Sequence, residues 1–252
     1  MIISKHNVHF KRLLHLQKHS ARERAQLFLV EGEREIKLAT KEEILALYYS
    51  HETPFIRDAK NKGISSYCLS TTLFKKVAYR EKEPVALCKQ RHHALKDLHQ
   101  PSILLICESI EKPGNLGAML RTSVGANVSG VIITNPCIDI FHPNVIRNSL
   151  GAIFCVPIIQ ATSTEIMEFV KEKKIQLVLA HPTSIMPYYA INFTKPSAIL
   201  IGNETKGIST SWLCNETLLS VNIPMQGPIN SLNAAIAAAI LLYESVRQNA
   251  IN

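Results

Sequence analysis

The 252-residue chain has one tryptophan and only 6% aromatic residues. Trp212 and the N-terminal phenylalanines are therefore expected to fill cores rather than stack on bases. No apolar run approaches the roughly 18 residues of a membrane helix. The opening M-I-I-S-K-H-N-V-H-F-K-R lacks the apolar stretch of a secretory leader, so a cytoplasmic protein without membrane attachment is expected. Six cysteines (Cys68, Cys88, Cys107, Cys137, Cys155, Cys214) form no C-x-x-C pair and have no histidine at zinc spacing. Reduced, mostly buried thiols and no metal are expected. His92 and His93 are adjacent, so their side chains diverge, and a solvated loop explains them better than a metal site.

Several catalytic signatures are missing too. G-N-L-G (114–117) lacks the G-x-G-x-x-G spacing that brings a helix N-terminus to a pyrophosphate. In G-N-E-T-K-G (202–207) the lysine precedes the glycine, and no G-x-x-x-x-G-K-[ST] exists, which disfavours nucleotide hydrolysis. The absence of G-x-S-x-G removes the usual support for a serine hydrolase.

What is present is an uneven charge. The net +8 lies wholly in residues 1–99, with 19 Lys+Arg against 11 Asp+Glu, while residues 100–252 balance at 9 and 9. Residues 1–24 carry six basic residues and one acidic one, interleaved with His6, His9, His15 and His19. Such a helix-compatible segment is either a solvated basic face or a footprint for phosphates. Lys11, Arg12, Arg22 and Arg24 are its candidate phosphate contacts.

Apolar content drops across residues 89–102, marking a linker at 96–101 between an N-terminal domain (1–95) and a C-terminal one (102–252). In the first, 31–38 and 41–49 read as helical and 28–30, 54–56 and 67–69 as short strands, a small α/β module. In the second, apolar runs at 103–107, 131–134, 153–156, 175–180, 198–201 and 221–223 alternate with helical spacing at 116–126, 164–173 and 231–247. Strands apolar throughout and separated by helices predict an α/β fold with a parallel sheet covered on both faces. Ligands gather at the loops after strand C-termini in such sheets. Three glycine-containing loops, 112–121, 202–209 and 224–233, could therefore share one pocket.

The order of these loops is distinctive. N-L-G-A-M-L-R (115–121), I-G-N-E-T-K-G-I-S (201–209) and I-P-M-Q-G-P-I-N-S-L-N-A-A-I-A-A-A-I-L-L-Y-E (223–244) resemble motifs one, two and three of the SpoU/TrmH branch of the SPOUT RNA methyltransferases. F-H-P-N-V-I-R-N-S-L-G-A-I-F-C-V-P (141–157) is similar to the family's intervening text. L-F-L-V-E-G-E-R (27–34) resembles the kink-turn-binding, ribosomal-protein-like domain that many of these enzymes carry. Lys112 departs from the family pattern where an acidic residue is common, Thr205 where glycine is frequent, and Ala234–Ala235 where Val-Ser is usual.

The resemblance implies a trefoil knot in the C-terminal domain, a homodimer packed through it, S-adenosylmethionine as donor, and the ribose 2′-hydroxyl of RNA as acceptor. It places Arg121, Asn115, Glu204, Ser231 and Asn233 among the reacting groups. Gly202, Ile223, Met225 and Leu232 become cofactor contacts, and Arg147 a phosphate contact near the pocket. Asn115, and either Ser231 or Asn233, could equally cap helices, and Lys206 could pair with Glu204 or face solvent. Residues 234–242, apolar on every side, should be buried in the fold or across a dimer contact. Ribosomal RNA, 23S in particular, is the expected substrate; transfer RNA, or a binding factor without turnover, are the alternatives.

Overall fold

The computed structural model describes residues 1–212 and 218–250, so Cys214 lies outside the described residues. The chain packs as two units, Met1–Arg91 with Asp139–Phe154, and His92–Ile138 with Cys155–Asn252. A single cut in the chain cannot separate them, because the segment 139–154 belongs to the first.

The first unit is built on a four-stranded sheet of β1 (Leu27–Glu31), β2 (Ile44–Tyr49), β3 (Ser66–Cys68) and β4 (Val85–Lys89), in the order β1-β4-β2-β3. Pairing is antiparallel except between β2 and β3. Helices α1 (Val8–His15), α2 (His19–Ala25), α3 (Glu33–Ile36), α4 (Pro54–Asn61) and α5 (Thr71–Phe74) accompany it, joined later in the chain by α7 (Pro143–Ser149). The Asn7 side chain accepts the His9 N–H and starts α1, which turns Phe10 and Leu13 into a core shared with Tyr48, Phe74 and Leu87. Lys11 and Arg12 stay outside on its exposed face.

Two local expectations reverse here. Residues 41–49 form a turn and then β2, because Leu47, Tyr48 and Tyr49 are buried in a strand held on both edges; tertiary burial overrides the helix propensity of K-E-E-I-L-A-L. Residues 54–56 open α4 instead of a strand. Thr53 caps it through the Ile56 N–H, and Pro54 sits at the first turn, where its missing donor costs nothing.

The second unit contains β5 (Ile103–Glu108), α6 (Pro113–Gly125), β6 (Gly130–Thr134), β7 (Ile158–Gln160), α8 (Ser163–Glu172), β8 (Gln176–Ala180), β9 (Ser197–Ile201), β10 (Leu218–Val221) and α9 (Ala234–Ala250). Its six strands run parallel in the order β10-β8-β9-β5-β6-β7. Every residue of β5, β6 and β9 is buried, as strands covered on both faces require. Trp212 is fully buried among the core residues, in agreement with its expected role. The apolar run 153–156 is not a strand. Leu150 and Gly151 both adopt positive φ, a 3-10 turn follows at Ala152–Phe154, and the strand comes only after Pro157. Leu98, inside the expected linker, is buried in the core of the second unit.

The thiols divide. Burial pushes the Cys88 thiol up and the Cys107 thiol up to about 12, but Cys137 and Cys155 are exposed, so the expectation of mostly buried cysteines does not hold. Among the described residues no helix is long and apolar enough to cross a membrane.

Candidate active site

Three strand ends of the second unit build the site. Past β5 the chain turns at Ser109, in the left-handed region, and enters α6 through Lys112 and Pro113. The helix starts earlier than the sequence suggests, with Pro113 in its first turn. Asn115 is therefore inside the helix and does not cap it. Its amide is spent on other groups: Nδ2 donates to Glu204 Oε1, and Oδ1 accepts from Asn233 Nδ2 at 3.0 Å. Asn233 Nδ2 also lies 3.3 Å from Glu204 Oε1. Its Oδ1 takes the Ala235 N–H at 2.9 Å, so Asn233, and not Ser231, caps α9.

One carboxylate thus ties together three segments that are far apart in sequence. Lys112 Nζ closes the set at 2.5 Å from Glu204 Oε2. The lysine that departs from the family pattern is the ion partner of the motif-two glutamate. Lys206 instead lies 3.7 Å from Glu111, both ends exposed, a contact of little energetic weight.

The turn after β9 is held from below by residues that sequence reading did not single out. Glu108, only 1% exposed, accepts the Ser209 hydroxyl at 2.6 Å, the Ser209 N–H at 3.2 Å and Asn135 Nδ2 at 3.2 Å. Asn203 donates to the Ser109 carbonyl at 2.9 Å, and its Oδ1 accepts the Thr205 and Lys206 N–H groups at 2.8 and 2.9 Å. Backbone bonds between Asn203 and Gly207 run both ways, at 2.8 and 3.0 Å. Buried polar groups satisfied this completely fix one loop conformation. The only sequence signal was their place at strand C-terminal ends.

Beside this turn is a cavity of about 380 Å³, within the usual size range of small-molecule sites. Gly202, Glu204, Ile223, Met225, Ser231 and Leu232 all line it. A third wall, His181–Thr183 after β8, was missed; the rule that ligands gather past strand C-termini applied to it equally. At Gly202 an added Cβ would come within 2.7 Å of the Gly207 carbonyl oxygen and 2.7 Å of Ile208 Cγ2. That closeness admits only glycine.

Arg121 is not part of this network. It is exposed on α6 and makes no hydrogen bond or ion pair with the described residues. Arg147 belongs to the first unit, where its guanidinium stacks 4.1 Å from the centroid of the Tyr79 ring. Lys11, Arg12 and Arg24 are exposed, but Arg22 is 2% exposed and unavailable to a phosphate. Its Nη1 donates to the Leu16 and Gln17 carbonyls, and its Nε and Nη2 reach Asp139 at 2.8 and 2.7 Å. Among the described residues, no group of three or more His, Cys, Asp or Glu is arranged to hold a metal.

Comparison with known proteins gives this geometry a family. Residues 102–243 match the SpoU rRNA Methylase family, and residues 7–87 match the MRM3-like substrate binding domain. The chain belongs to the SpoU rRNA methylase family. A 23S rRNA (guanosine(2553)-2′-O)-methyltransferase of Bacillus subtilis is 30% identical over 232 residues, covering 89% of this chain and 91% of the relative. A 23S rRNA (uridine(2479)-2′-O)-methyltransferase of Streptomyces viridochromogenes is 38% identical over 144 residues, covering 54% of this chain and only about half, 49%, of the relative's length. Among solved structures, the SpoU methyltransferase AviRb from Streptomyces viridochromogenes in complex with AdoMet superposes with a TM-score of 0.87 at 28% identity, covering 97% of this chain and 98% of that one. An AdoMet-bound rRNA methyltransferase from Sinorhizobium meliloti gives 0.87 at 25% identity, covering 98% and 97%. The SpoU methylase match covers all three glycine turns, and the full-length superposition extends to the parallel sheet.

Proposed function

We propose that this SpoU-family chain transfers a methyl group from S-adenosylmethionine to a ribose 2′-hydroxyl of ribosomal RNA, 23S in particular, in the cytoplasm. The observation that carries the reading is the meeting of two distant glycine turns, 202–209 and 224–233, around one cavity, with the third turn reaching its edge where Asn115 is hydrogen-bonded to Glu204 and Asn233. The donor set suits the cofactor. Apolar Ile223, Met225 and Leu232 offer contact surface for the adenosine, and the missing side chain at Gly202 lets Gly207 and Ile208 close against it and shape the pocket wall. When bound, that group supplies an electrophilic methyl on a sulfonium.

The remaining work is alignment and proton management, which falls to the protein. Glu204 places negative charge beside the pocket, and Asn115 and Asn233 fix the orientation of its carboxylate. Arg121 is read as the group that positions the acceptor hydroxyl and a neighbouring RNA phosphate. Ser231 stands at the same pocket, next to the cap of α9. Lys11, Arg12 and Arg24 supply salt-sensitive attraction to phosphates, with Arg147 as a further RNA contact.

A homodimer completes the reading. It is supported by Ile236 and Tyr243, each 51% exposed on α9, and by Val124 on the adjoining α6, 36% exposed. The knot is read from the family resemblance of the three motifs.

The deciding experiment incubates the protein with methyl-labelled S-adenosylmethionine and unmodified ribosomal RNA. Label resistant to alkali at one ribose is expected; tight RNA binding without incorporation would make the chain a binding factor. Gly202→Ala tests the cofactor cradle separately. Forcing a Cβ against fixed backbone costs about 1–3 kcal/mol, so calorimetry should show S-adenosylmethionine uptake weakened roughly five- to a hundredfold. Unaltered uptake would remove Gly202 from the cradle.

A further inference from the structure

A second cavity, of about 330 Å³, lies wholly within the first unit. Its floor is apolar, made by Leu29, Val77, Phe141 and Ile146, and its rim includes Lys76, Tyr79 and Arg147. Tyr79 is 72% exposed, whereas Phe10, Phe28 and Phe74 of the same unit are at 2% or less. An aromatic ring left in water beside an apolar cavity presents a stacking surface, and the Arg147 guanidinium lies over the ring at 4.1 Å from its centroid.

The acidic group at this cavity is committed elsewhere. The Glu31 carboxylate accepts the Tyr79 N–H at 3.0 Å and the Arg80 N–H at 3.1 Å, which fixes the peptide that carries the ring. Arg22, also lining the cavity, is neutralised by Asp139. Among the described residues, Lys76 and Arg147 have no acidic partner, so the rim offers two cations beside a ring. A free phosphate would use the cations and leave the apolar floor without a purpose. An acidic peptide would use the cations without the stacking platform.

We propose that this cavity receives one unstacked nucleobase of the RNA substrate. The base stacks against Tyr79 or its arginine cover, and Lys76 and Arg147 face the flanking phosphates. Unstacked bases held by aromatic and guanidinium planes are the usual basis of RNA sequence recognition, so the cavity would contribute to target choice. The inference rests on the RNA-methylating reading above and assigns a specificity pocket to the first unit.

Filter binding of naked ribosomal RNA over a salt series tests it. Tyr79→Ala should weaken binding by roughly five- to a hundredfold with the salt slope unchanged, because stacking releases no counterions. Tyr79→Phe should bind like the parent. Lys76→Ala should lower the slope by about 0.7–0.9. Ribosomal RNA carrying 4-thiouridine should photo-cross-link to the peptide containing residues 76–79. A Tyr79→Ala protein that takes up S-adenosylmethionine normally and binds RNA like the parent overturns the proposal, as do a Phe variant as weak as Ala or cross-links confined to other segments. If the parent itself neither binds nor methylates the RNA, the functional reading fails. If the parent does both and Tyr79→Ala matches it, only the pocket fails.

Discussion

Arg121→Ala is expected to reduce methyl transfer by roughly 10²-fold or more, the scale for loss of a group that positions the acceptor, while S-adenosylmethionine uptake stays intact. The two effects separate because Arg121 is exposed on α6 and lies outside the cavity lining, so its removal disturbs neither Gly202 nor the Glu204 network. A guanidinium offers hydrogen-bond donors and no acceptor, which favours a positioning role over literal proton abstraction. Arg121→Lys keeps the charge and loses the planar fork; recovery of only a small part of the rate would show that geometry matters more than charge. A variant that keeps most of the parent rate removes Arg121 from the reaction.

The second large effect concerns stability. Asp139→Asn leaves the Arg22 guanidinium buried without its counter-charge, a change that costs about 3–5 kcal/mol for a buried pair. The pair is well enclosed, at 3% and 12% side-chain exposure. Hydrogen exchange of the β1 and β4 amides reports the loss directly, and protection equal to the parent's would show that the pair contributes nothing. Burial pushes the Asp139 carboxyl up, but bonds from Arg22, His19 and the Phe141 N–H outweigh it and hold the carboxyl below its ordinary 3.8. Its contribution is therefore complete above that value and is lost as the pH falls through the lower value of the folded protein. The advantage of the parent over Asp139→Asn should shrink in acid below about pH 4.

The sequence revealed the two units unequally, for physical reasons. In the second, strands buried on both faces leave uninterrupted apolar runs, so β5, β6, β8 and β9 could be read almost directly. In the first, K-E-E-I-L-A-L-Y-Y carries helical propensity that a central strand position overrides, and Thr53-Pro54 signals a helix start that a short apolar stretch obscured. At the site, the glycine turns were visible because backbone freedom is written in residue type. The buried bonds of Glu108 were not, since a carboxylate after a strand reads the same whether it faces water or Ser209. Arg22 shows the same ambiguity from the other direction: a basic residue in a basic segment is here a structural cation.

The return of residues 139–154 to the first unit constrains how the protein can be divided. Phe28 packs against Phe141 and Phe154 at 4.8 and 5.9 Å between ring centroids, so clipping the chain near residue 95 would strip two aromatic rings of their lining and leave them bare on whatever remained. The first unit is thus sewn to the rest by three covalent crossings, not hung from one tether. Replacing that unit by another module would demand a matching exchange of the inserted segment, so its inheritance as a whole involves two separate places in the gene.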